Sequence, residues 1–167
     1  MFLGDLLVLD MNIQEATCDD IKPMAIHHRK MFEEIWEKKG QKVKAAKAQE
    51  IEKAYSEKLE KEIPGGSCKA WVVKNGNRLV ASGAISIVSF VPVPNDTNHH
   101  IAYLHSMYTE KDFRGRKYAQ QIIGRAIQYC KENGISRVIL NASEAGRPIY
   151  EKAGFVPSPE TMRLFIK

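Results

Sequence analysis

The dipeptide Asn75-Gly76 stands between two runs of strand-forming residues, "KAWVV" and "RLVASGAISIVSF". A two-residue hairpin turn of this kind takes positive φ at both positions, which asparagine and glycine tolerate. The spacing predicts an antiparallel pair. In its second strand Leu79, Ala81, Gly83, Ile85 and Ile87 alternate against Val80, Ser82, Ala84, Ser86 and Val88. A chain with such a hairpin near its middle must build a sheet, and the hydrophobic period on either side decides what covers it.

Upstream the period is helical. In "CDDIKPMAIHHRKMFEEIW" the residues Ile21, Met24, Ala25, His28, Phe32, Ile35 and Trp36 recur at intervals of three and four. Asp19 or Asp20 can cap this helix, Pro23 suits its first turn and Gly40 ends it. His28 falls on the apolar stripe and reads as a packed, satisfied histidine. A second helix carries Ile51, Tyr55 and Leu59 and closes near "IPGG" at 63–66. Downstream, "VPVPNDTN" reads as a loop and "HHIAYLHSMYT" as a strand. Ala119, Ile122, Ile123, Ala126, Ile127 and Cys130 form a helical face, and Gly134 suits its C-terminal cap. "ISRVILN" predicts a short buried strand, "GRPIYEKAG" a short helix, and "TMRLFIK" a final strand. The order predicts one domain over residues 1–167, a mixed α/β fold of about three layers.

Composition narrows the function. The net charge of +5 favours acidic ligands such as phosphates. Much of that charge lies between Glu37 and Glu62, where eight lysines and six glutamates read as a solvated helix face. No helix-turn-helix, zinc or RNA-sheet motif points to nucleic acid. No run approaches the roughly 18 apolar residues of a membrane span. The opening "MFLGDLLVLDMN" carries Asp5 and Asp10 without a basic leader. It reads as an extended first segment or strand rather than a signal peptide. Cys18, Cys68 and Cys130 are odd in number and match no metal spacing, so reduced thiols in a cytoplasmic protein are expected and no metal is.

The most specific local feature is "FRGRKYA" at 113–119, which places Arg114, Arg116 and Lys117 at the mouth of a helix. A helix N-terminus presents unpaired amides and about half a positive charge, so cations there invite a compensating anion. Gly115 lets a ligand approach the backbone. The loop has neither the Gly-Lys-Ser/Thr ending of a P-loop nor a GxGxxG pattern.

The stretch "MYTEKDFRGRKYAQQIIGRAIQYC" resembles the acyl-CoA-binding motif of the GNAT acetyltransferase superfamily, Arg/Gln-x-x-Gly-x-Gly/Ala. Arg114 and Ala119 fit its ends, and Lys117 stands where the family usually has glycine. "LNASEAGRPIYEKAGFVPS" is similar to the family's late motif, with Tyr150, Glu151, Lys152, Gly154 and Phe155 matching and Ile149 in place of leucine. Ser143 takes the usual asparagine place, seven residues before the tyrosine. The resemblance covers 101–157 and implies a GNAT-like fold with a mostly antiparallel mixed sheet flanked by helices.

The resemblance implies direct transfer of an acetyl group from acetyl-CoA to a primary amine of a small molecule or protein N-terminus. It assigns the cosubstrate to Met107, Tyr108, Thr109, Arg114, Gly115, Arg116, Lys117, Tyr118, Ala119, Asn141, Ser143 and Tyr150. The Met107 amide polarises the thioester carbonyl, and Tyr150 serves as the acid for the leaving thiolate. His105 is the expected base, because Ile101, Tyr103, His105 and Met107 share one strand face. A base acting through water is the alternative. Another alternative is a non-catalytic acyl-CoA-binding module of the same fold, which Lys117 favours and Tyr150 opposes. A homodimer through the final strand and the 90–100 loop is also expected.

Overall fold

The computed structural model describes residues 13–166. The expected first strand in residues 1–12 lies outside the described residues. Five strands form one sheet in sequence order: β1 (Ile13–Glu15), β2 (Cys68–Asn75), β3 (Arg78–Ser89), β4 (His100–Thr109) and β5 (Val138–Leu140). All neighbours are antiparallel except β4 and β5, which run parallel. Helices α1 (Ile21–Lys38) and α2 (Ala45–Gly65) cover one face. Helix α3 (Tyr118–Glu132), with the short α4 (Arg147–Lys152), covers the other. The mixed α/β, three-layer expectation holds.

Each helix ends where its sequence dictates. Gly40, Gly66 and Gly134 all take positive φ just beyond α1, α2 and α3, a conformation glycine adopts without a Cβ clash. Asp20 does not cap α1 as expected. Its carboxylate accepts from the Thr17 amide at 2.9 Å and pairs with Lys74 at 2.7 Å, closing the 3-10 turn that leads into α1. Ile122 and Ile123 of α3 are fully buried on the sheet. Each such side chain contributes roughly 1.5–3 kcal/mol.

Four expectations need correction. The hairpin turn is Gly76-Asn77, because Asn75 already pairs with Arg78, and only Gly76 carries positive φ. Strict alternation in β3 fails, because a register shift opposite Val73/Lys74 places both Val80 and Ala81 in the α3-side core while Leu79 stays on the α1–α2 side. β5 is a half-exposed edge strand rather than a buried one. Residues 161–166 form no strand, since neither a neighbouring strand nor a helix covers them.

Candidate active site

The central feature is a bulge in β4. Ser106 has φ of 58°, in the left-handed region. Ala84 pairs with His105 and Ser82 with Tyr108, so Ser106 and Met107 together oppose Gly83. An extra residue reverses the parity of everything beyond it. His105 and Ser106 both turn toward α1 and α2, where His105 Nδ1 meets Tyr55 Oη and Ser106 Oγ meets His28 Nδ1. Met107 turns to the α3 face. A Cβ on Gly83 would lie 2.1 Å from Met107 Sδ and 2.9 Å from Ile122 Cγ2. A side chain at position 83 would have to displace Met107 and Ile122. The expected shared face of His105 and Met107 is overturned by this one residue.

The bulge also separates β4 from β5. Their pairing ends at Leu104 and Leu140. From His105 to Thr109, the β4 edge on that side meets no strand among the described residues. An extended chain with amides can add there as a strand does. Met107, Tyr108 and Thr109 all lie on this stretch.

The edge leads to the start of α3. Gly115 at φ 79° and Lys117 at φ 63° flank Arg116, so two left-handed residues bend the loop into the helix. Lys117 thus accepts the conformation that glycine would give, at a cost of roughly 1–2 kcal/mol. Among the described residues, the amides of 115–120 donate to no backbone carbonyl; the first such bond is Gln121 to Lys117 O at 3.0 Å. Tyr118 and Ala119 are the first two residues of the helix. A helix end with free amides and cationic side chains fits a pyrophosphate.

Arg114 is not free to join it. Its guanidinium donates two bonds to Glu34 of α1, at 2.8 and 2.9 Å, and its Nε donates to Thr109 O. It also lies 5.6 Å from the centre of the Tyr108 ring, whose hydroxyl donates to the same Glu34. Burial alone raises the Glu34 carboxyl, but the Arg114 and Tyr108 hydrogen bonds outweigh it and hold the group below its ordinary range. Burial and the Glu34 charge push the Tyr108 phenol up. Arg116 stacks on Phe113 at 5.0 Å.

Tyr150 sits in α4, packed against the α3-side core and edge-on to Phe155. Ser143 Oγ accepts from the Gly146 amide at 3.2 Å and shapes the turn into this helix. Among the described residues the Tyr150 hydroxyl has no hydrogen-bond partner. Burial pushes its pKa up to about 12, and the nearby Tyr103 phenol adds to the shift. It is therefore a protonated donor at neutral pH. Asn141 donates to Tyr103 Oη at 2.8 Å, joining the end of β5 to β4.

His105 is held by several partners. Its Nε2 lies 2.9 Å from Ser86 Oγ, and its Nδ1 lies 3.1 Å from Tyr55 Oη and 3.0 Å from Ser106 Oγ. The neutral ring carries one proton, so one of these nitrogens donates and the other accepts, and both are engaged. Burial lowers its pKa to about 3, with Lys58 and His28 adding to the effect. His28 stacks on Tyr55 with ring centres 3.9 Å apart, and burial lowers its pKa to about 4. It is packed and satisfied, as its place on the helical stripe suggests. Beyond His28 the groove between α1 and α2 opens as a cleft of about 370 Å³, with Phe32, Ile51 and Lys58 on its walls.

Sequence reasoning missed Ser106, Glu34, Tyr55 and Ser86. Only Tyr55 carried a signal, its place on the apolar stripe of α2. The others act across 19 to 80 residues of chain, and no local pattern marks them.

A model of the Acetyltransferase (GNAT) family matches residues 28–155. No curated protein matches the chain. Among solved structures, a predicted acetyltransferase from Clostridium acetobutylicum, determined with acetyl-CoA, is 25% identical with a TM-score of 0.82; the match covers 92% of this chain and 95% of that one. A GCN5-related N-acetyltransferase from Ralstonia eutropha JMP134 is 23% identical with a TM-score of 0.81, over 92% and 97% of the two chains. Glucosamine-6-phosphate N-acetyltransferase from Arabidopsis thaliana shares the fold at 16% identity, a TM-score of 0.64, and 93% and 97% coverage. The family model spans most of the chain, and the two motifs lie within or beside it: the chain belongs to the GNAT acetyltransferase family.

Proposed function

We propose that the protein transfers an acetyl group from acetyl-CoA directly to a primary amine, on a small molecule or a peptide N-terminus. The observation that carries this reading is the open β4 edge from His105 to Thr109, which runs into the free amides at the start of α3. Acetyl-CoA supplies an activated acetyl thioester. The amides of 115–120, with Arg116 and Lys117, hold the pyrophosphate. The Met107–Thr109 edge pairs with the pantetheine amides, and the Met107 amide polarises the carbonyl. One such donor is typically worth a few kcal/mol. Asn141 and Ser143 border the same slot from β5 and the turn into α4.

The amine nitrogen bonds to the carbonyl carbon as the carbon–sulfur bond breaks. Tyr150 gives its proton to the departing sulfur. The amine's own proton passes to water. His105 is a poor recipient, because both its nitrogens are engaged and it faces away from Met107. We assign it instead to holding the bulge in place. The cleft beside His28 and Tyr55 is the route for the amine, since it opens on the α1–α2 side of the bulge. Arg114 braces α1 against the cradle through Glu34 rather than binding phosphate.

Residues 1–167 act as one catalytic domain on this reading, and the working unit is a pair of identical chains. The site of action is the cytoplasm: Cys68 lies in the α1–α2 core and Cys130 in the α3 core, on opposite faces of the sheet, so they serve as thiols. No helix of the described residues is long and apolar enough to cross a membrane.

The test is CoA release from acetyl-CoA across a broad amine panel. Turnover with at least one amine is expected, and Tyr150→Phe should lower kcat by about 100-fold or more with little change in KM for acetyl-CoA. Tight acetyl-CoA binding without turnover on any amine would leave only the non-catalytic module.

A further inference from the structure

The cleft between α1 and α2 has an aromatic wall. The His28 ring meets Phe32 edge-on, with centres 5.0 Å apart, and stacks on Tyr55 at 3.9 Å. Ile51 and Ala54 of α2 extend the apolar lining, and Lys58 stands at its rim. The same wall supports the bulge of β4. His28 Nδ1 lies 2.7 Å from Ser106 Oγ, and Tyr55 Oη lies 3.1 Å from His105 Nδ1. A group packed on His28 therefore sits beside the bulge that aims the Met107 amide.

The charge of this cleft is selective. Among the described residues no carboxylate lines it. Glu33 and Glu52, on the same two helices, are both held by Arg29, at 2.8 and 2.6 Å. Glu62 is held by Lys58. Burial lowers the His28 pKa to about 4, so its ring is uncharged at neutral pH. An amine arrives as an ammonium and loses its proton where it reacts. A second ammonium on the same molecule would stay charged against an apolar wall, with Lys58 beside it and no acid to pair with. Burying such a charge is strongly unfavourable, and the aromatic faces offset only part of the cost.

Size acts in the same direction. The cleft holds about 370 Å³, near the small end for small-ligand sites. It suits one ring or a short branched chain rather than an extended peptide.

We infer that the acceptor is a small monoamine with a flat apolar body, an arylalkylamine above all, whose ring seats against Phe32 and His28 while its amino group reaches the bulge. Phe32 supplies the ring surface, and Lys58 turns away a second cation. The inference rests on the transfer reading and names its substrate class. The bonds change as in that reading: nitrogen–carbon forms, carbon–sulfur breaks, the sulfur takes the Tyr150 proton, and the amine's proton goes to water.

The experiment follows CoA release by the full chain from acetyl-CoA with 2-phenylethylamine, tryptamine, spermidine, kanamycin and a tripeptide that begins with alanine. For the two aryl amines kcat/KM should exceed the others by about 10-fold or more. Phe32→Ala should raise KM for 2-phenylethylamine about 10-fold and leave KM for acetyl-CoA unchanged. Lys58→Glu should raise kcat/KM for spermidine relative to 2-phenylethylamine by about 10-fold. Should Phe32→Ala fail to fold, the rim substitution decides alone. A preference for spermidine, kanamycin or the peptide overturns this inference and leaves the transfer reading standing. An aryl preference that neither substitution moves overturns the placement in this cleft. Acetyl-CoA binding by calorimetry without turnover of any amine overturns the transfer reading and this inference with it.

Discussion

Ser106 Oγ lies 2.7 Å from Nδ1 of His28, joining the bulge of β4 to the middle of α1 across 78 residues of sequence. The bond fixes a serine in a backbone conformation that serine seldom takes. Ser106→Val puts a β-branched side chain at positive φ and leaves a half-buried imidazole nitrogen without its partner. The two effects together should destabilise the protein by about 2–4 kcal/mol. Ser106→Gly keeps the conformation and loses only the hydroxyl, so about 1–2 kcal/mol is expected. Urea unfolding should rank parent, then Gly, then Val. Equal stability of Val and parent would mean that the bulge is not rigid.

Lys117 separates charge from backbone shape at the cradle. Lys117→Gly removes the cation and keeps the left-handed turn, so stability should stay within about 1 kcal/mol of the parent. Lys117→Ile removes the same charge and opposes the turn, with a loss of about 1–2 kcal/mol. Calorimetry should find CoA weakened in both at low salt. Near 1 M salt the Gly variant should match the parent, because screening has already removed the charge contribution. The Ile variant should stay weak, because its amides no longer converge. Equal CoA affinity for the two at every salt concentration would show that the amides of this loop do not bind the pyrophosphate.

Three histidines, His27 buried and His28 and His105 half-buried, give stability a pH signature. Burial lowers His27 and His28 to about 4 and His105 to about 3, against an ordinary value of 6.5. Between those limits the unfolded chain binds protons that the folded chain refuses. Stability is therefore full above pH 6.5 and falls as the pH drops toward the folded values. Each histidine contributes up to about 1.4 kcal/mol per pH unit in that window. Denaturant unfolding should show a steep loss from pH 6.5 to 4.5, and His28→Gln should make it shallower. The same slope in both proteins would mean that His28 is not buried neutral.

The legible parts of this site are the local ones. The cradle is written in seven consecutive residues, and α3 begins where the sequence places it. Tyr150, Gly154 and Phe155 carry a motif because one short helix and its cap need them close together. The bulge is not written that way. Ser106 is an ordinary serine in a strand of good period, and its conformation follows from Gly83 across the ladder and His28 across the layer. Regular parity therefore put His105 beside Met107 and failed. Arg114 looked like a phosphate ligand because its neighbours are cations, whereas Glu34, which claims it, lies 80 residues away. The final strand expected from "TMRLFIK" does not form over 161–166, because its alternating apolar side chains find no neighbouring strand among the described residues.

The last prediction separates His105 as a base from His105 as a brace. A base that titrates near 6.5 gives kcat/KM an acidic limb there, and His105→Gln would erase that limb. The structure gives this ring a pKa of about 3 through burial, an Nε2 engaged by Ser86, and an Nδ1 occupied by Tyr55 and Ser106. His105→Gln should therefore leave the shape of the profile above pH 5 unchanged. It should still lower kcat, because glutamine cannot satisfy Ser86, Tyr55 and Ser106 with the same geometry and the Met107 amide shifts with the bulge. Tyr55→Phe removes one support without touching any group that moves a proton, so it should reproduce the effect in weaker form, with the same unaltered profile. Loss of an acidic limb in His105→Gln, retained in Tyr55→Phe, would return the proton to His105.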